Sequence, residues 1–130
     1  MSEAIVRNWV KLGEYDLETA RAMLNAGRYL YVAFTCHQAI EKILKALFVK
    51  EKGETPPYTH NLTKLLHGVS IGNSVDEGNV RFMETLNSYY IETRYTEQLD
   101  ELSKLLTRRQ SHELYEKTEE LFSWLKSLIK

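Results

Sequence analysis

The sequence predicts an all-α fold, an up-and-down bundle of about five helices built on a long N-terminal helical hairpin. Three observations predict it. Nothing in the 130 residues alternates with period two for long enough to make a strand. From Tyr29 to Lys52, apolar residues fall at Val32, Ala33, Cys36, Ile40, Ile43, Leu44 and Leu47, the spacing of a helix with one buried stripe, and no Pro or Gly interrupts them. Helix-ending residues punctuate the rest: Gly27, Gly53 with Pro56 and Pro57, then Gly68, Gly72 and Asn73.

The first helix starts at Ser2, a competent cap, and its apolar stripe is read as Ile5, Trp9, Leu12, Ala20, Met23 and Leu24. Gly13 lies inside it at a cost of about 1 kcal/mol against alanine, which suggests something packed close to that surface. Asp16 shares the stripe and is expected to be a partly buried carboxylate tied to a neighbouring helix. Asn25-Ala26-Gly27 closes the helix, with Gly27 suited to a left-handed cap. The short turn makes the first two helices antiparallel neighbours. At ~1.5 Å per residue the second is about 35 Å long.

Two prolines after Gly53 stop the second helix. A short third helix follows through Leu62, Leu65, Leu66 and Val69, with Thr59 or Asn61 as its cap. Ser74-Val75-Asp76-Glu77 has a capping-box pattern ahead of a fourth helix through Val80, Met83, Leu86, Tyr89 and Tyr90. Ile91 to Asp100 reads as a loop or frayed turn. Thr107-Arg108-Arg109-Gln110 is a second capping box, opening a last helix that buries Leu114, Leu121, Phe122, Leu125 and Leu128. Residues 1–130 form one domain on this reading.

Composition narrows the function. Seventeen basic residues against eighteen acidic ones set up no global field toward nucleic acid or anionic lipid. The single cysteine excludes an internal disulfide and fits a reducing compartment. Met1-Ser2-Glu3-Ala4 has no basic and hydrophobic leader, and no apolar run reaches the roughly 20 residues of a membrane span, so a cytoplasmic protein is expected.

Cys36 and His37 are adjacent and diverge by about 100° on a helix, so they do not ligate one metal together. The four histidines stand singly, without a paired-ligand spacing, and neither a nucleophile elbow nor a phosphate-cradling Gly-rich loop occurs. No metal and no cofactor is expected. The informative polar series lies on the long helix: His37, Glu41 and Lys45 are successive four-residue neighbours on one face. If the Pro-Pro turn folds His60 back onto them, and the stretch after Tyr90 brings Arg94 and Tyr95 to the same groove, then Glu41, Lys45, His60, Arg94 and Tyr95 make an anion or nucleotide site. The plainer alternatives are a four-residue ion pair for Glu41 and Lys45, a turn-stabilising His60, and a structural salt bridge at Arg94. Arg108-Arg109 with His112 is a small basic patch that the helix dipole does not explain.

Trp9, Asp16, Ala20 and Gly27-Arg28-Tyr29, then Ala33-Phe34-Thr35-Cys36-His37-Gln38-Ala39-Ile40-Glu41-Lys42 with Lys45-Ala46, resemble the HEPN domain (higher eukaryotes and prokaryotes nucleotide-binding). So do Gly53 to Leu62, Tyr89-Tyr90 and Arg94-Tyr95. The resemblance implies a helical bundle that forms homodimers and binds nucleotide, and that partners a separately encoded minimal nucleotidyltransferase. It also implies an alternative: other branches are metal-independent ribonucleases, many of them toxins of toxin–antitoxin pairs. Those carry an Arg, a neighbouring polar residue and a His, with four to six residues between the Arg and the His. This chain departs from that pattern after Arg94, because Leu99, Asp100 and Glu101 stand where the His would fall. Arg108 and His112 are too close together, and Arg28 and His37 too far apart. The expectation is therefore a binding and assembly module rather than an enzyme, with RNA a partner only under the alternative.

Overall fold

The computed structural model describes residues 2–92 and 106–129. Among them are five α-helices: α1 (Ser2–Asn25), α2 (Tyr29–Lys52), α3 (Leu62–His67), α4 (Glu77–Glu92) and α5 (Arg108–Ser127), with one 3₁₀ turn at Ser70–Asn73 and no strand. The all-α bundle on an N-terminal hairpin is thus observed. Its axis is α2, which packs against each of the other four helices. Ile40, Ile43, Leu44 and Ala46 of α2 are fully buried, as are Leu62, Leu65 and Leu66 of α3 and Met83 and Leu86 of α4.

The hairpin turn is built by Gly27 at φ 74°. The Arg28 N–H donates to the Met23 carbonyl at 2.8 Å and the Gly27 N–H to that of Leu24 at 3.2 Å, the paired closure that a left-handed glycine permits. Gly53, at φ 67°, ends α2 in the same conformation. Thr107 caps α5 with the expected capping box, and Asn61 caps α3 by accepting from the N–H groups of Thr63 and Lys64.

The buried face of α1 corrects the sequence reading. It runs through Val6, Gly13, Ala20 and Leu24, whereas Ile5 and Leu12 are 48% and 44% exposed. The stripe is rotated by one residue because Gly13 belongs to its centre. A Cβ there would lie 2.7 Å from Cε2 of the Phe122 ring and 3.3 Å from the Ala39 carbonyl oxygen. Gly13 is where α1 meets α2 and α5. Phe122 is itself 2% exposed, so its ring has little room to yield. Gly13→Ala gains about 1 kcal/mol of helix propensity and loses about 1–3 kcal/mol to overpacking. A net loss in urea unfolding is expected, growing with Gly13→Leu; a stabilised Gly13→Leu variant would show that the contact is soft.

Three further expectations change. Asp76, not Ser74, caps α4: its Oδ1 accepts from the Asn79 N–H at 2.7 Å, while the Ser74 hydroxyl donates back to the Ile71 carbonyl. Ser74 closes the preceding 3₁₀ turn, so its side chain is already used. Leu128 is 37% exposed, lying just beyond the end of α5 and outside its buried stripe. The fourth helix also continues through Glu92, past the end expected at Tyr90.

Candidate ligand-binding site

The middle of α2 places Glu41 and Lys45 one turn apart, and both are buried, at 2% and 8% exposure. The segment after Gly53 returns along α2. Its last turn is held by the Thr59 N–H donating to the Pro57 carbonyl and the Asn61 N–H donating to the Thr59 hydroxyl, and this sets His60 against Glu41. His60 Nδ1 lies 2.8 Å from Glu41 Oε1, and Lys45 Nζ donates to Glu41 Oε2 at 3.1 Å. An ionised carboxylate only accepts, so Nδ1 carries the proton in this bond. Lys45 Nζ also sits 5.5 Å from the centre of the Trp9 ring, within cation–π range. Glu41, Lys45 and His60 therefore converge as expected. The four-residue ion pair exists as well, but as a buried pair rather than a solvated one.

His37, one turn before Glu41 on the same face of α2, belongs to the cluster as well. It is fully buried, and its Nε2 donates to the His60 carbonyl at 2.8 Å. The Tyr90 ring closes the cluster from α4, 4.5 Å from the His37 ring, 4.9 Å from that of His60 and 5.7 Å from Phe34. Burial pushes the His37 imidazole down to about 4, against the opposing pull of the Glu41 carboxylate and the His60 carbonyl. It is a neutral ring, and a structural one. Asn87 of α4 adds a polar clamp beside the cluster: its Oδ1 accepts from the Leu62 N–H at 2.9 Å and its Nδ2 donates to Asn61 Oδ1 at 3.1 Å. Tyr90 carries a signal only as an apolar position, and Asn87 carries none, since neither shows its partners until α4 is laid against α2 and the start of α3.

A second, part-buried ion pair joins the same helix to α1. Lys42 Nζ donates to Asp16 Oδ2 of α1 at 2.8 Å and to Gln38 Oε1 at 3.3 Å. Asp16 is the partly buried carboxylate that its position predicted. Arg94 and Tyr95, the other two expected site residues, lie outside the described residues. His112 is paired with Glu116 on α5 at 2.7 Å, and Arg109 lies 3.5 Å from Glu113, so two members of the basic patch have acidic partners one turn on. Cys36 is fully buried and its thiol is pushed up to about 12 by that burial, which fits a core residue. Among the described residues no three His, Cys, Asp or Glu side chains come together as metal ligands. No described helix is long and apolar enough to cross a membrane.

The arrangement is a buried carboxylate with each oxygen occupied, holding one imidazole at the surface. The His60 side chain is 44% exposed, and among the described residues its Nε2 has no hydrogen-bond partner. That atom is what the cluster offers to solution.

A family model described as HEPN domain matches residues 6–128. Among solved structures, the crystal structure of TT1696 from Thermus thermophilus is similar in fold. It superposes with a TM-score of 0.80 at 24% identity, over 94% of this chain and 96% of that one. No curated protein matches.

Proposed function

The chain belongs to the HEPN domain family, and from that premise we propose that it is a binding and assembly module rather than an enzyme. On this reading it works in the cytoplasm as a homodimer, holds a nucleotide at the Glu41–His60 cluster, and acts with a separately encoded minimal nucleotidyltransferase. The observation that carries the reading is the convergence of Glu41, Lys45 and His60 from two separate segments, with the His60 ring left accessible. Evolution of a merely stable bundle has no need of it, because a buried ion pair adds little stability over well-packed apolar residues.

The ribonuclease toxin reading has less support. In-line attack by a ribose 2′-hydroxyl needs a proton acceptor, and the position that supplies one in the ribonuclease branches holds no His here.

Isothermal titration of the purified chain with ATP tests the proposal. Saturable binding is expected, weakened about tenfold or more in His60→Ala, whose half-exposed side chain can be removed without opening the core. Expression from the native genomic neighbourhood is expected to co-purify a nucleotidyltransferase. No heat of binding together with no co-purifying nucleotidyltransferase would overturn it. RNA cleavage in EDTA would favour the alternative.

A further inference from the structure

The three residues brought together here do not play equal parts. Among the described residues, the two lysines of α2 beside the cluster are already neutralised: Lys45 by Glu41 at 3.1 Å and Lys42 by Asp16 at 2.8 Å. Each is held by its partner at hydrogen-bond distance, and breaking either pair to reach a phosphate would strand a carboxylate, Glu41 in the core and Asp16 at its edge. Neither lysine is a free charge for an anion. Glu41 has no spare oxygen, since Oε1 takes the His60 Nδ1–H and Oε2 takes Lys45.

What remains among the described residues is His60 Nε2. The ring is fixed on three sides: by Glu41 at Nδ1, by the His37 Nε2–H at its backbone carbonyl, and by the Tyr90 ring 4.9 Å away. A carboxylate on Nδ1 selects the tautomer with the proton on that nitrogen and leaves the Nε2 lone pair facing outward. In the neutral ring that atom accepts a hydrogen bond and cannot donate one.

We infer that Glu41 and Lys45 are positioning residues, and that His60 Nε2 is the contact atom, accepting a hydrogen bond from a neutral donor of the ligand. For a nucleotide, the donor shared by all ribonucleotides is a ribose hydroxyl. The inference rests on the nucleotide reading above and deepens it: the cluster recognises the sugar and not the phosphate.

Two measurements test it. Long-range ¹H–¹⁵N correlation of the imidazole rings in the ¹⁵N-labelled full chain, at a pH where the ring is neutral, is expected to show His60 protonated at Nδ1. A His60 ring protonated at Nε2 overturns the inference whether or not any nucleotide binds. Titration then compares adenosine, 2′,3′-dideoxyadenosine and inorganic pyrophosphate. Adenosine is expected to bind, the dideoxy compound about tenfold more weakly for the loss of one hydrogen bond, and pyrophosphate not to compete. Displacement of ATP by pyrophosphate, equal affinity for the two nucleosides, or no binding of adenosine would each overturn it. ATP binding under any of those outcomes leaves the proposed function standing, and absence of both ATP binding and a co-purifying nucleotidyltransferase removes that function alone when adenosine binds as expected.

Discussion

Replacing Glu41 by alanine is expected to lower folding stability by about 3–5 kcal/mol, the cost of leaving a buried charge without its partner. Among the described residues, Lys45 would keep only the Trp9 ring at 5.5 Å, and the His60 Nδ1–H would lose its acceptor. Lys45 is 8% exposed, so water does not replace the lost oxygen without a shift of α1 or of the helix itself. The companion variants give the sharper reading. Glu41→Leu with Lys45→Met removes both charges and is expected to recover most of the loss, making the double variant more stable than the sum of the two single changes predicts. Urea unfolding of the four proteins measures the coupling. A loss below about 1 kcal/mol for Glu41→Ala would place the pair with surface ion pairs, which contribute little.

Acid sensitivity gives the second large effect. His37 titrates near the ordinary histidine value of 6.5 in the unfolded chain and only at about 4 in the folded one. The unfolded state therefore binds the proton first as pH falls, and the folded state is penalised. Stability from this group is fully present above pH 6.5 and is lost progressively down to about pH 4. At about 1.36 kcal/mol per pH unit the total is on the order of 3 kcal/mol. His37→Gln keeps a donor for the His60 carbonyl and removes the titration. Its stability is expected to fall less steeply than the parent's across that window, by close to one proton at the steepest point. Parallel slopes would mean that His37 does not remain neutral in the fold.

How legible was this in the chain? The helices were, because each rests on local chemistry: the unbroken helical period of α2, the glycines at 27 and 53, the Thr107–Gln110 box. The phase of α1 was not. Gly13 has no side chain to count as apolar, so the apolar pattern runs through Ile5 and Leu12, one residue away from the face that Phe122 covers. Choosing Asp76 over Ser74 as the cap of α4 depended on knowing that Ser74 was already bonded backward, a fact about the preceding turn. At the cluster, the four-residue spacing of His37, Glu41 and Lys45 marked a shared face, and the Pro-Pro turn pointed His60 toward it. Spacing carries no measure of burial, however. Whether Glu41 and Lys45 are a solvated pair or a desolvated one is decided by Trp9 from α1 and by the returning loop, both distant in sequence. The contribution of Tyr90, whose ring meets those of Phe34, His37 and His60, requires α4 to be in place.

Cys36 has a consequence of its own. As the single thiol of the chain, sealed among the helices and held protonated, it is silent toward alkylating reagents while the bundle is closed. Every molecule that reacts has first opened around this part of α2, the helix against which the other described helices pack. The chain thus carries its own counter of opening events: under excess reagent, the extent of labelling over time is a clock for how often the helices around it let go.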